Sequence, residues 1–193
     1  TGIKVILDNF DTNEEMYPVM SKGTVKYDVI CASDYMIERL LKKKLLAKLN
    51  YANLPNYENI DERYMELASK FDKNNEYAIP HTWGVLGVMY NTKKIRKGEI
   101  ESWNDLLKKK YDQQIVMPDS VRDNFAIALK ARGYSINTKN EAELKKATKY
   151  LQDQTPLVYK YSNDAARDLA IGGSTDIAVV WNGEVLYSRE ENS

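Results

Sequence analysis

The sequence predicts an α/β protein with mostly parallel sheets and helices on the sheet faces. Short apolar segments alternate with amphipathic ones along most of the 193 residues, and such alternation is typical of repeated β-α units. Several apolar segments are nearly continuous, as expected for strands buried on both faces of a parallel sheet. The length allows a substantial core, in one large domain or two small ones.

The first elements form two strand-helix pairs. Residues 3–7 and 27–32 are predicted strands, and the second strand predicts that Cys31 is a small buried hydrophobic residue. Between them, Thr12 begins a capping-box pattern that predicts the start of a helix, with Pro18 disturbing the helix further along. The pattern indicates that the chain opens with an α/β unit.

The next segments complete this unit and lead out of it. Ser33 or Asp34 can cap a helix over residues 35–44, in which the apolar side chains fall on one stripe. Residues 61–71 contain a short helical patch, and residues 77–91 contain two strand-like segments that indicate a crossover. A second α/β unit therefore begins at about residue 85.

The second unit repeats the alternation of strands and helices. Its predicted elements are a capped helix from Ser102, a strand at 114–117, a helix from Ser120, a helix at 141–154, a strand at 156–161, a helix at 162–172, a strand at 176–181 and a final polar segment. Gly172 and Gly173 are expected to end a helix, because glycine adopts the left-handed conformation at low cost.

Composition excludes several classes of function. Lysine plus arginine and aspartate plus glutamate each number 28, so no long-range field favours nucleic acid or an anionic membrane. The apolar runs are too short to cross a bilayer. Cys31 and His81 are single residues of their kinds, which argues against a zinc site, and no glycine-rich phosphate loop is present. We expect neither a metal nor a cofactor.

Residues 116–125 combine a strand end with a helix start, and the pattern has two interpretations. Ser120 and Asp123 fit a capping box, in which a hydroxyl and a carboxylate stabilise the start of a helix. Asp119 is not explained by capping. Open α/β sheets bind ligands at the carboxyl ends of their strands, so the two carboxylates could instead hold a cation, unless Arg122 folds back onto them.

Two other strand ends carry groups suited to a ligand. Ser33 and Tyr35 follow one predicted strand, and Trp181 ends another. The simpler interpretation makes them a helix cap and core aromatic residues, whereas an indole face also attracts ammonium groups by ~0.5 to 2 kcal/mol. An α/β hydrolase using Ser33 or His81 is the enzyme alternative, although neither residue lies in a recognisable nucleophile motif.

Five segments, taken together and in order, resemble the bacterial spermidine/putrescine-binding proteins of ABC transporters. They are YDVICASDYMIERLLKKKLLAKL, YAIPHTWGVLGVMYN, ESWNDLLKKKY, MPDSVRDNFAIALKARGYSIN and VVWNGE. The resemblance implies a two-lobed, type II periplasmic-binding-protein-like fold, with residues 1–82 in the first lobe and 83–193 in the second. It also implies an extracytoplasmic protein that closes over a polyamine and delivers it to permease subunits, without catalysis.

The resemblance also implies which residues bind the ligand. Ser33 and Tyr35 match a Ser-x-Tyr pattern on the first lobe, Asp123 matches one of two amine-binding acids, and Trp181 matches a tryptophan that packs along the polyamine. The other acidic position falls on Ser120, so Asp119 is the candidate to replace it. This departure keeps open a rival interpretation, namely a receptor for another small solute.

The resemblance further implies segments before Thr1 and after Ser193, so the fold is expected to be incomplete in this chain. Sheet edges without neighbours invite pairing with another chain, and we expect a dimeric or strand-swapped form. Part of the amine-binding set would also be absent, so we expect the chain itself to bind polyamines weakly.

Overall fold

The chain divides into two compact units, Thr1–Trp83 and Gly84–Ser193. The computed structural model describes residues 2–163 and 165–191. Helices and a four-stranded sheet confirm the predicted α/β class. Within those described ranges, no helix combines the length and the apolar character needed to cross a bilayer.

The first unit is built from helices and irregular segments. Its α-helices are α1 (Asn13–Lys22), α2 (Asp34–Lys42) and α3 (Glu62–Ala68). Met16 of α1 packs against Met36 and Leu40 of α2, and all three side chains are buried. The Thr12 hydroxyl accepts the Glu15 N–H at 3.1 Å, which confirms the predicted helix start. Pro18 lies inside α1 without ending it.

The prediction of two strands in this unit is wrong. Residues 3–7 and 27–32 form no ladder, and among the described residues up to Trp83 there is no strand. A strand needs a neighbour to satisfy its backbone groups, and neither segment has one there. Most of their apolar side chains are consequently exposed, with Ile6 at 82% and Val29 at 86%, whereas Ile30 and Ala32 pack partly against the cluster of α1 and α2. Cys31 is also exposed, contrary to the prediction that it is buried.

The second unit contains one mixed sheet. The strands are β1 (Leu86–Tyr90), β2 (Ile115–Met117), β3 (Val158–Tyr161) and β4 (Ile177–Trp181), and the helices are α4 (Val121–Ala131), α5 (Glu141–Gln154), α6 (Ala165–Ile171) and α7 (Asn182–Glu191). The spatial order is β1-β4-β2-β3. β2 is parallel to both β3 and β4, whereas β1 is antiparallel to β4.

The two central strands of this sheet are buried on both faces. Ile115 and Ile177 pack into the larger cluster on one face, whereas Val116 and Ala178 pack into a second cluster on the other. All four side chains have 0% exposure. Alternate residues of a strand point to opposite faces, so continuous apolar runs are what this environment requires. The strand predictions for β2 and β4 are correct for that reason.

Three details of the second unit differ from the prediction. Of the two strand-like segments in 77–91, only β1 forms. Ser102 does begin a capping box, but two short 3-10 turns follow it because Lys108 has an extended backbone. The final polar segment forms α7. The helix predicted over 162–172 includes Asp164, which lies outside the described residues. Its end agrees with the prediction, since α6 ends at Ile171 and is followed by Gly172 and by Gly173, whose φ is +75°.

Candidate ligand-binding site

A cavity of about 290 Å³ lies at the carboxyl ends of β2, β3 and β4. We call it the strand-end cavity. It is lined by Leu86, Pro118, Ser162, Asn163, Arg167, Val179, Val180, Trp181 and Glu184. Parallel strands end at the same edge of a sheet, so the residues that follow them converge there. Its lining therefore combines apolar, amide, cationic and anionic groups.

Two asparagines hold the loop between β2 and α4. The Asp119 N–H donates to Asn163 Oδ1 at 3.0 Å, and Asn163 Nδ2 donates back to the Asp119 carbonyl at 3.2 Å. Asn124 Nδ2 donates to the carbonyls of Pro118 and Ser120, at 2.7 and 2.9 Å. These bonds fix the loop against the residues that follow β3, and they set the position of Asp119.

Ser120 caps α4, as one of the two interpretations of this stretch predicts. Its Oγ accepts the Asp123 N–H at 3.2 Å. Among the described residues, Pro118 lines the strand-end cavity, whereas Asp119, Ser120 and Asp123 do not. A ligand-binding role for those three residues stays a prediction, since capping accounts for Ser120 without a ligand.

Trp181 lies where the sequence predicts a ligand contact. It is the last residue of β4, lines the strand-end cavity and is 46% exposed. The Gly84 backbone approaches the indole closely, because a Cβ added at Gly84 would lie 3.0 Å from Trp181 Cε3 and 3.2 Å from Asn182 Oδ1. Asn182 Oδ1 also accepts the Val85 N–H at 3.0 Å. The indole is thus packed on one side and open on another.

An ion pair in the cavity was not anticipated from the sequence. Arg167 Nη1 donates to Glu184 Oε2 at 3.1 Å, and Arg167 Nε donates to Asp168 Oδ1 at 2.9 Å. The bond to Asp168 raises the pKa of Arg167 further above its usual value, so the guanidinium is charged at every relevant pH. Glu184 follows a strand end by three residues, and that position is the signal that could have identified it.

Ser33 and Tyr35 lie in a separate polar group on the first unit. Ser33 Oγ accepts from Asn13 Nδ2 at 3.0 Å, and the Ser33 N–H donates to Asn13 Oδ1 at 3.2 Å. The Tyr35 hydroxyl donates to Glu14 Oε1 at 3.0 Å. Ser33 occupies the N-cap position of α2 without making a side-chain cap bond, because its hydroxyl is turned to Asn13. Asn13 and Glu14 belong to this group, although the sequence did not single them out.

The fold and the cavity are typical of proteins that bind small solutes. An open site at the ends of parallel strands, with an aromatic face beside a few convergent polar groups, is the usual form of a small-molecule site. Residues 1–192 match the family of bacterial extracellular solute-binding proteins. The chain belongs to this family.

Named relatives agree with the family match. The spermidine/putrescine-binding periplasmic protein of Salmonella typhimurium is 32% identical over 98% of this chain and 54% of its own length. A Listeria monocytogenes structure assigned to a spermidine/putrescine ABC transporter superposes with a TM-score of 0.92 at 34% identity, covering 100% of this chain and 59% of the other.

A third similarity is to the spermidine/putrescine ABC transporter substrate-binding protein of Streptococcus pneumoniae. That structure gives a TM-score of 0.74 at 33% identity, over 98% of this chain and 58% of the other. The chain spans about half the length of the curated relatives it matches. These similarities confirm the predicted relationship to periplasmic binding proteins.

Proposed function

We propose that this protein is the solute-binding component of an ABC importer and binds a polyamine of the spermidine/putrescine class. The observation that carries the proposal is Trp181, a half-exposed indole in a cavity that also contains a carboxylate. An indole face attracts ammonium groups and packs against methylenes, and carboxylates accept hydrogen bonds from amines. The names of the relatives support the same ligand class. The protein would work outside the cytoplasm and pass its ligand to permease subunits.

The two compact units would be the two lobes of the binding protein. We infer that the first lobe covers residues 1–82 and the second 83–193, and the division of the chain after Trp83 supports this boundary. Ser33 and Tyr35 would contact the ligand from the first lobe. Asp119, Ser120, Asp123 and Trp181 would contact it from the second lobe. Ligand-driven closure is the usual behaviour of such two-lobed receptors.

Calorimetric titration of the intact protein, as its source cell makes it, tests this function. Spermidine and putrescine are expected to bind with a favourable enthalpy, because charge-assisted hydrogen bonds replace water at the amines. Glutamate and a neutral sugar serve as unrelated solutes and are expected to give no heat of binding. Equal affinity for all four compounds, or binding of glutamate alone, would contradict a polyamine receptor.

The proposal includes no catalysis. Ser33 donates no hydrogen bond to His81 among the described residues, and both side chains are exposed. The Ser33 hydroxyl is instead held by the Asn13 amide. A serine nucleophile needs a base within hydrogen-bond reach. Hydrolysis of an ester that is abolished by Ser33→Ala would overturn this part of the proposal.

We also propose that residues 3–7 pair with a second copy of this chain. Ile3, Val5 and Leu7 are each at least 77% exposed, and alternate residues of an extended segment share one face. An exposed apolar segment whose backbone lacks a ladder is a template for strand pairing. A dimer formed this way would satisfy the backbone N–H and C=O groups of this segment.

Light scattering after gel filtration is expected to give twice the 22.2 kDa mass of one chain. The double variant Val5→Lys/Leu7→Lys should return the mass to that of one chain, because lysines on an edge oppose strand pairing. Leu186→Lys, at a 59% exposed position on α7, is the matched control and should leave the dimer intact. A single-chain mass for the unmodified protein at every concentration would rule out the pairing.

A further inference from the structure

We propose that Gly84 and Asn182 are positioning residues, which hold the indole of Trp181 in the orientation that the ligand meets. The inference rests on the proposed polyamine function, in which Trp181 contacts the ligand, and it adds the residues that fix this contact. Gly84 lies two residues before β1, and Asn182 directly follows β4. Both residues therefore flank the strand end that carries the indole.

Gly84 provides a backbone surface against which the benzene part of the indole packs. A Cβ added at Gly84 would lie 3.0 Å from Cε3 and 3.7 Å from Cζ3 of Trp181. The first distance is shorter than ordinary van der Waals contact, so a larger residue would push the ring away by a few tenths of an ångström. The indole is 46% exposed, so it has room to move in response. Only glycine leaves the ring where it is.

Asn182 fixes the backbone next to Gly84. Oδ1 of Asn182 accepts the Val85 N–H at 3.0 Å, and the Asn182 N–H donates to the Val85 carbonyl at 2.9 Å. These two bonds extend the ladder of β1 and β4 by one pair beyond Leu86 and Trp181. In a regular antiparallel pair a backbone carbonyl would accept the first bond. Here a side-chain oxygen accepts it, because α7 begins at Asn182.

The two contacts together restrict one side chain before the ligand arrives. An accessible aromatic side chain usually has more than one staggered rotamer open to it, and ordering it on binding weakens the affinity. Packing against Gly84 removes alternatives in the free protein, and the bonds of Asn182 keep the Gly84 backbone in place. A binding group must be held within about 0.5 Å of its productive position. A small displacement of the indole should therefore be measurable as lost affinity.

Substitutions at the two positions test the role by calorimetry on the intact protein. Gly84→Ala is expected to weaken spermidine binding about fivefold, because the added methyl group moves the indole. Gly87→Ala on β1 is the matched control: its Cβ would meet nothing within 4 Å, so affinity should change less than about twofold. Asn182→Ala removes the acceptor of the Val85 N–H and should also weaken binding about fivefold. Asn182→Asp keeps an acceptor oxygen and should bind at least as tightly as the unmodified protein.

A double-mutant cycle with Trp181→Ala separates positioning of the indole from a general structural effect. If Gly84 acts through the indole, Gly84→Ala weakens binding about fivefold when Trp181 is present and less than about twofold when Trp181 is replaced. The same loss in both backgrounds would overturn the inference. Thermal melting checks that each variant is folded, and the cycle between Asn182→Ala and Trp181→Ala decides the question if Gly84→Ala is not.

The outcomes keep this inference apart from the proposed function. If the unmodified protein binds no polyamine, the proposed function fails, and the inference fails with it. If it binds spermidine and both Gly84→Ala and Asn182→Ala bind equally well, only the positioning role is overturned. A loss in Gly87→Ala as large as that in Gly84→Ala would also overturn it, since the effect would then belong to β1 as a whole.

Discussion

Replacing Trp181 with alanine is expected to weaken spermidine binding by about thirtyfold, on the order of 2 kcal/mol. The indole is the largest side chain lining the strand-end cavity, and its open face is the group that would cover the ligand's methylenes and attract its ammonium groups. Calorimetry on the intact protein measures the change. Trp181→Phe keeps an aromatic face and should recover part of the loss.

Tyr159→Ala is the matched control for this substitution. Tyr159 is 47% exposed on β3, nearly the same as Trp181, and it does not line the cavity among the described residues. Truncating it removes a comparable aromatic surface from the same sheet. If both alanine variants lose the same affinity, the loss reflects a weakened sheet, and direct contact with the ligand is excluded.

Replacing Asn124 with aspartate is expected to destabilise the second unit by about 2 to 4 kcal/mol at pH 7. Asn124 is 8% exposed and donates to two carbonyls, those of Pro118 and Ser120. Only an amide nitrogen can serve both acceptors, whereas a carboxylate would face them without a donor. Urea denaturation measures the free energy of unfolding, and the loss should be accompanied by weaker ligand binding because Pro118 lines the cavity.

The destabilisation should depend on pH in a defined direction. Burial against two carbonyls raises the pKa of the introduced carboxyl above its unfolded value of about 3.9, since its neutral form can donate one hydrogen bond. The variant is therefore least destabilised below pH ~4, and it loses stability as pH rises from there through the folded pKa.

Asn140→Asp is the control. Its Oδ1 accepts the Ala142 N–H, and a carboxylate at that helix start is tolerated. A pH-independent loss at position 124 would contradict this account.

The sequence predicts the strands of the second unit better than those of the first, because the central strands of the second unit are buried. The central strands of the second unit lie between two apolar clusters, so their apolar runs report the environment directly. Residues 3–7 are similarly rich in apolar residues, yet they are exposed, because composition shows only that a segment can pair and not whether a neighbour is present. Cys31 was predicted to be buried for the same reason and is exposed.

The candidate site was predictable where it follows the strand-end rule. Trp181 lies in the cavity as that rule expects, and Ser120 caps α4 as its spacing with Asp123 expects. The pair of Arg167 and Glu184 was not predictable, because the two residues are 17 positions apart and meet only when α6 and α7 follow their strands to one edge. A contact between helices of this kind has no local pattern in the sequence.

The residues that stabilise the sheet and the residues that line the strand-end cavity are largely different, so stability and specificity can change separately. The residues that hold the sheet together, such as Ile115, Val116 and Ala178, have 0% exposure, whereas Trp181 at the end of β4 and Glu184 just after it are accessible. Buried substitutions are costly and accessible ones are mostly tolerated. Under the proposed function, mutation at the cavity could therefore change the preferred solute while the sheet stays intact, so a lineage could acquire a new nutrient specificity through single, separately tolerable steps.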